Sequence, residues 1–244
     1  MHLFDGHNDL LYRMWQCGTG PAHDGAMARG LASVDGHLDL TRASAAGFTG
    51  GLFALFIPNS AAGEELSGGQ PPSYEDASVI CADMLALADE MVARFGDNIA
   101  KCLTVSDILA AQDASKIAMV LHIEGAEMIS ADCHEIEMLY QRGIRSLGPL
   151  WSRPNLFGEG VPLQFPGSPD QGDGLSDAGK RLVRTCNHYG IMLDLSHLNE
   201  KGFWDIAKLS DKPLVATHSN VHRLCPSPRN LTDRQLDAIA ESGG

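Results

Sequence analysis

His7 and Asp9 lie two residues apart at the end of the chain's first apolar run, in the stretch FDGHNDLL from Phe4 to Leu11. In a strand, residues i and i+2 face the same side, so an imidazole and a carboxylate project together. Such a pair can ligate a metal, or be no more than a His–carboxylate hydrogen bond. Three further groups of the same kind close apolar runs downstream: Glu124 ends AMVLHIE, His197 ends IMLDLSH and His218 ends PLVATH. Nitrogen and oxygen donors of these types suit divalent ions.

The five groups meet only if their runs are parallel strands with a common exit. Strand-like runs cover His2–Gly6, Gly51–Ile57, Ile117–Ile123, Ile144–Leu150, Ile191–Leu195 and Leu214–Thr217. Helical patterns separate most of them. Tyr74–Phe95 is the clearest, with Ile80, Met84, Leu87 and Met91 at spacings of four, three and four. Ser106 is expected to cap a short helix running to Ala111. Ser176–Tyr189 ends at Gly190, and Leu231–Ser242 starts near Thr232 and ends at Gly243.

This alternation means βα units and a parallel sheet. The expected fold is an α/β, TIM-like (β/α)8 barrel, a single domain over residues 1–244. Only six of the eight strands of a closed barrel are legible, so the expectation is an unclosed barrel or part of a longer chain. Gly18–Gly36 and Pro154–Gly174 have no period and are expected to be loops at the exit end of the sheet.

Active sites of such barrels form where the strands exit. Five donors exceed what a lone catalytic zinc needs, namely three protein ligands and an open position. They suit two metals about 3.5–4 Å apart with a carboxylate between them. Glu124, alone on its strand, is the bridging candidate. One metal is then assigned to His7, Asp9 and Glu124, the other to Glu124, His197 and His218. His122 shares the face of Glu124 one layer deeper, as support or core. His134 marks a helix start, and Glu127 is expected to lie outside the site. His2, His23, His37, His188 and His222 read as surface or structural residues.

The formal net charge is −13, from 18 Lys and Arg against 31 Asp and Glu, which disfavours nucleic acid and anionic membranes as partners. No apolar run reaches the length of a membrane span, and no basic segment followed by an apolar one suggests a signal peptide. The six cysteines are scattered without a CxxC, the usage of a reducing cytoplasm.

The motifs DGHNDLLYR (Asp5–Arg13), GLFALFIP (Gly51–Pro58) and HIEGAE (His122–Glu127) together resemble the renal (membrane) dipeptidase family, the M19 metallopeptidases of the amidohydrolase-like barrels. YGIMLDLSH (Tyr189–His197), ATHSN (Ala216–Asn220) and CPSPRNLTD (Cys225–Asp233) extend the resemblance over essentially the whole chain, in order. The resemblance implies two divalent metals, zinc being the expected ion, on His7, Asp9, Glu124, His197 and His218. It also implies that Arg229 holds a substrate carboxylate, a task suited to its planar fork.

The implied activity is hydrolysis of dipeptides by a metal-bridging hydroxide, with D-residues accepted at the second position. A homodimer is a further expectation. Two departures stand out. Trp151 occupies the place of a histidine that eukaryotic members direct at the reacting carbonyl, and is assigned to substrate binding. No SDFDG-like motif supplies the family's late acidic residue. Alternatives are another amidohydrolase-like enzyme, acting on a lactone, cyclic amide or N-acyl amino acid, or a catalytically silent metal-binding barrel.

Overall fold

The computed structural model describes residues 2–18, 38–59 and 71–244. The loop expected over 18–36 falls outside these, apart from Gly18. In chain order the elements are β1 (Leu3–Asn8), α1 (Leu10–Gln16), α2 (Leu40–Ala45), β2 (Phe48–Phe56), α3 (Tyr74–Phe95), β3 (Ile99–Lys101), α4 (Val105–Asp113) and β4 (Ile117–Glu124). There follow α5 (Glu135–Gln141), β5 (Ile144–Gly148), the short pair β6 (Pro154–Asn155) and β7 (Gly158–Glu159), α6 (Asp177–Tyr189), β8 (Met192–Leu193), α7 (Glu200–Leu209) and α8 (Asp233–Ser242).

The main sheet is parallel throughout, in the order β1-β2-β4-β5-β8, and curls into part of a barrel. Every residue of β4 is buried, because helices cover one face and the barrel interior the other, which calls for an unbroken apolar run. The register aligns the exits: Phe56 pairs with Glu124, and Glu124 with Gly148. Among the described residues no ladder joins β1 to the last strand position. The two nevertheless come close: a Cβ on Gly6 would lie 2.2 Å from the Thr217 carbonyl oxygen. Only glycine fits that contact.

Several elements differ from expectation. β3 is missing from the sequence reading, since three residues are too few to show a period; it pairs with the start of β4. The runs Ile191–Leu195 and Leu214–Thr217 keep little ladder. The first reduces to Met192–Leu193, and the second to a parallel bridge between Asp194 and Val215. The cap of α4 is Thr104, not Ser106: its side chain accepts from Asp107 N–H, and Asp107 reaches back to the Thr104 amide. That reciprocal arrangement satisfies two orphan amides where Ser106 could satisfy one.

The other three helices read over their length from the sequence follow their patterns. The stripe of α3 is Ala77, Ile80, Cys81, Met84, Leu85, Ala88 and Met91, with Leu87 only half-buried. Ser176 caps α6, which ends in a left-handed Gly190; Thr232 caps α8, which ends in a left-handed Gly243. The segment 154–174, expected to be structureless, contains the antiparallel β6–β7 pair. It lies at the exit end: Val161 N–H donates to the His197 carbonyl at 2.8 Å.

Candidate metal centre

Four of the five expected ligands converge, and Asp9 stands at their rim. Glu124, at the exit of β4, directs its two oxygens at different imidazoles. Oε2 is 3.5 Å from His7 Nε2, whereas Oε1 is 2.9 Å from His197 Nε2 and 3.3 Å from His218 Nε2. His197 and His218 bring their Nε2 atoms to 2.9 Å, and the His7 and His218 rings stand 4.2 Å apart. His7, Glu124 and His218 each bring a possible donor atom within 4.8 Å of the others. Asp9 joins through His7 alone, Oδ1 to Nε2 at 3.3 Å, and half of its side chain is exposed.

Local conformation aims these groups. His197 sits at φ 69°, in the left-handed region. Few residues other than glycine adopt that region, and such outliers gather at functional sites. Gly125, directly after Glu124, has φ 88°, and a Cβ there would lie 2.6 Å from Glu127 Oε2. The strand therefore turns away at once and leaves Glu124 at its end.

Burial and charge set the protonation. Burial holds His197 neutral, with its pKa pushed down to about 4. Burial acts the same way on His7, yet the Glu124, Asp9 and Asp194 carboxylates outweigh it and raise its pKa to about 9. Glu124 stays far below the usual carboxylate range: burial opposes ionisation, but His7, His197 and His218 prevail. The centre thus gathers negative charge and lone pairs around a space where positive charge is favoured.

His7 Nδ1 is also buried without a hydrogen-bond partner. This donor set fits divalent metal ions. The other histidine nitrogens are held by hydroxyls. Ser152 Oγ meets His197 Nδ1 at 2.8 Å, Thr217 Oγ1 meets His218 Nδ1 at 2.8 Å, and Ser146 Oγ meets His122 Nδ1 at 2.9 Å. Such outer partners orient metal-binding imidazoles.

His122 is wholly buried, with its pKa pushed down to about 4 by burial, so it supports the site from below. Asp194 is buried too, 3.7 Å from both His122 Nε2 and His218 Nδ1. The sequence reading missed Ser146, Ser152, Asp194 and Thr217 as site residues. A charged residue inside the apolar run IMLDLSH was the available signal for Asp194; single hydroxyls carry none.

Arg229 lies beside the centre, half-buried. Its guanidinium donates to Ser219 Oγ at 3.2 Å and to the His218 carbonyl at 3.3 Å. It makes no ion pair among the described residues, and burial lowers its pKa. Trp151 is a buried wall, its ring 6.0 Å from His197 and 5.0 Å from Phe56.

Behind Trp151 lies Arg153, whose side chain is fully buried and paired with Glu127 at 2.8 Å. It also donates to Asn59 Oδ1 and the Ile57 carbonyl. Glu127 is outside the centre, as expected, but is the counter-ion of a buried arginine. His134 occupies the cap position of α5, and the Asp132–His134–Glu135 group is largely exposed. Burial pushes the thiol of Cys81 up to about 12 and that of Cys102 up to about 11, which makes them inert packing groups.

A family model described as membrane dipeptidase, peptidase family M19, matches residues 1–244. An uncharacterised protein of Acinetobacter calcoaceticus, from the PQQ-III 3' region, is 42% identical over 99% of this chain and 78% of its own length. A metallopeptidase of Rhodobacter sphaeroides, solved with a phosphinate mimic of the dipeptide L-Ala-D-Ala, superposes with a TM-score of 0.91 at 43% identity. That match covers 100% of this chain and 72% of the other. A dipeptidase called AC, of the same M19 family, superposes at 0.90 with 45% identity, over 99% of this chain and 70% of the other. The chain is therefore a member of the membrane dipeptidase family, the M19 metallopeptidases.

Proposed function

We propose that this protein is a binuclear-metal dipeptidase that hydrolyses the peptide bond of dipeptides, including those with a C-terminal D-residue. The observation that carries the reading is the division of Glu124, with one oxygen facing His7 and the other facing His197 and His218. A carboxylate so placed can serve two ions, one with His7 and Asp9, the other with His197 and His218. Zinc is the proposed ion. The proposed acceptance of a C-terminal D-residue is supported by the similar Rhodobacter metallopeptidase, which was solved with an L-Ala-D-Ala mimic.

Metal ions in such a site supply Lewis acidity for the amide carbonyl and lower the pKa of water to about 7. The chain's own residues do the rest. Arg229, half-buried and in no ion pair among the described residues, holds the substrate's C-terminal carboxylate by charge-assisted hydrogen bonds. Trp151 walls the His197 side and excludes water there. Ser152 and Thr217 hold two imidazoles in place. Reducing cytoplasm as the compartment and a homodimer as the assembly belong to the same reading.

The test combines metal analysis with turnover. Purified, metal-replete protein should carry close to two divalent ions per chain and cleave L-Ala-D-Ala. One ion per chain would retire the binuclear reading. Cleavage of lactones or N-acyl amino acids in preference to dipeptides would retire the substrate class.

A further inference from the structure

Asp194 is a buried carboxylate that touches no expected ligand at hydrogen-bond distance, yet it determines what one of them can do. Its Oδ1 accepts the backbone N–H groups of Ser196 and Thr217, each at 3.0 Å. Its Oδ2 accepts the Thr217 hydroxyl at 2.6 Å. A carboxylate that accepts several hydrogen bonds is held in its ionised form. It is then an acceptor only.

The Thr217 hydroxyl has one proton, and Asp194 takes it. Thr217 Oγ1 also lies 2.8 Å from His218 Nδ1. With its proton committed, the oxygen can only accept there, so Nδ1 must carry the hydrogen. In a neutral imidazole that leaves Nε2 bare. Nε2 is the atom that faces Glu124 and His197.

We propose that Asp194 and Thr217 form a polar relay that fixes His218 as the Nδ1–H tautomer and keeps its Nε2 lone pair aimed into the metal centre. Both are positioning residues and neither touches substrate. The inference rests on the metal-centre reading, and it adds residues that set ligand quality from outside the donor set. His197 has a serine at the same nitrogen, but among the described residues Ser152 Oγ meets no second partner that would fix its proton, so the directional argument belongs to His218.

The relay has a polarity, and one isosteric change reverses it. In Asp194→Asn the amide oxygen can still accept the two backbone N–H groups while its NH2 faces Thr217. The hydroxyl must then point at His218 and place the hydrogen on Nε2. An amide in place of a triad carboxylate keeps geometry and spoils the histidine tautomer in the same way.

The experiment uses the full chain with 15N-labelled histidine. His218 signals are assigned by their loss in His218→Asn, and ring tautomers are read in metal-free protein at mildly alkaline pH. Wild type and Thr217→Ser should show His218 with hydrogen on Nδ1. Asp194→Asn should show it on Nε2, and Thr217→Val should lose the single-tautomer signature. Zinc binding, measured by chelator competition, should weaken by roughly 10–100-fold in Asp194→Asn and Thr217→Val and recover in Thr217→Ser.

An Nε2–H tautomer for His218 in wild type would overturn the proposal, even if no variant folds. So would an Asp194→Asn protein that matches wild type in both readouts. If wild type shows the Nδ1–H tautomer but binds no zinc, the relay stands and the metal-centre reading fails.

Discussion

At the scale of residues, what the sequence made legible was the type of donor and its place at a strand exit. His7, Glu124, His197 and His218 meet because each ends an apolar run in a parallel sheet, and that is a periodic property. The hydroxyls that hold two of the imidazoles, Ser152 on His197 and Thr217 on His218, are announced by no period. Glu124 and Glu127 separate the two kinds of knowledge. Glu124→Gln should lower metal affinity by at least about 100-fold, more than the 10–100-fold typical of outer partners. Turnover should be lost with it; retained metal content in that variant would remove Glu124 from the bridge. Glu127→Ala should leave the metal content intact but strand Arg153 without its carboxylate in the interior. Breaking such a pair costs about 3–5 kcal/mol, and chemical denaturation would read it; a change confined to metal binding would contradict the placement. Arg229→Ala should raise KM for free dipeptides by an amount worth about 2–5 kcal/mol. A dipeptide amide, which lacks the carboxylate, should be a poor substrate and nearly indifferent to the change. Equal hydrolysis of acid and amide by the wild type would deny Arg229 the role of clamp.

At the scale of elements, helices were easier to read than their caps, and interior strands easier than peripheral ones. α3 shows itself clearly, because its buried positions recur at helical spacing from Ala77 to Met91. Ser106 was the wrong cap for α4 because the better signal is a pair: Thr104 followed three residues later by Asp107. β4 was plain because it is buried on both faces. The strand positions at 191–195 and 214–217 have few ladder partners, so their sequence keeps the apolar run while the hydrogen-bonded part shrinks. Thr104→Ala should cost about 1 kcal/mol, the usual effect of losing a cap. Amide exchange should quicken in the first turn of α4 and not elsewhere; an unchanged first turn would mean that the box contributes nothing. The Gly6 contact is an element-scale feature of another kind: it records how closely β1 approaches Thr217, which no single-strand pattern could reveal.

At the scale of the whole molecule, the barrel was inferred from alternation, and the parallel, curled sheet bears out that class. The distance between β1 and the last strand position was not inferable, since it depends on curvature rather than on any run of residues. That curvature is what brings His7, on the first strand of the sheet order, to 4.2 Å from His218, which follows the bridge beyond β8. The proposed metal centre therefore ties together elements that no ladder joins among the described residues, and metal binding should stabilise the entire fold rather than one loop. An ion that binds only the native state at about 1,000 times its Kd adds about 4 kcal/mol. For a chain of this size each kcal/mol is worth about 2–4 °C in Tm. Stripping the metal with a chelator should lower Tm by roughly 8–16 °C by the same arithmetic, and zinc should restore it. The loss should be largest in protection of β1 and of residues 214–218 when amide exchange is followed, because those segments meet across the centre. If chelation leaves Tm and both segments unchanged, the donors at the strand exits do not hold a metal that links them.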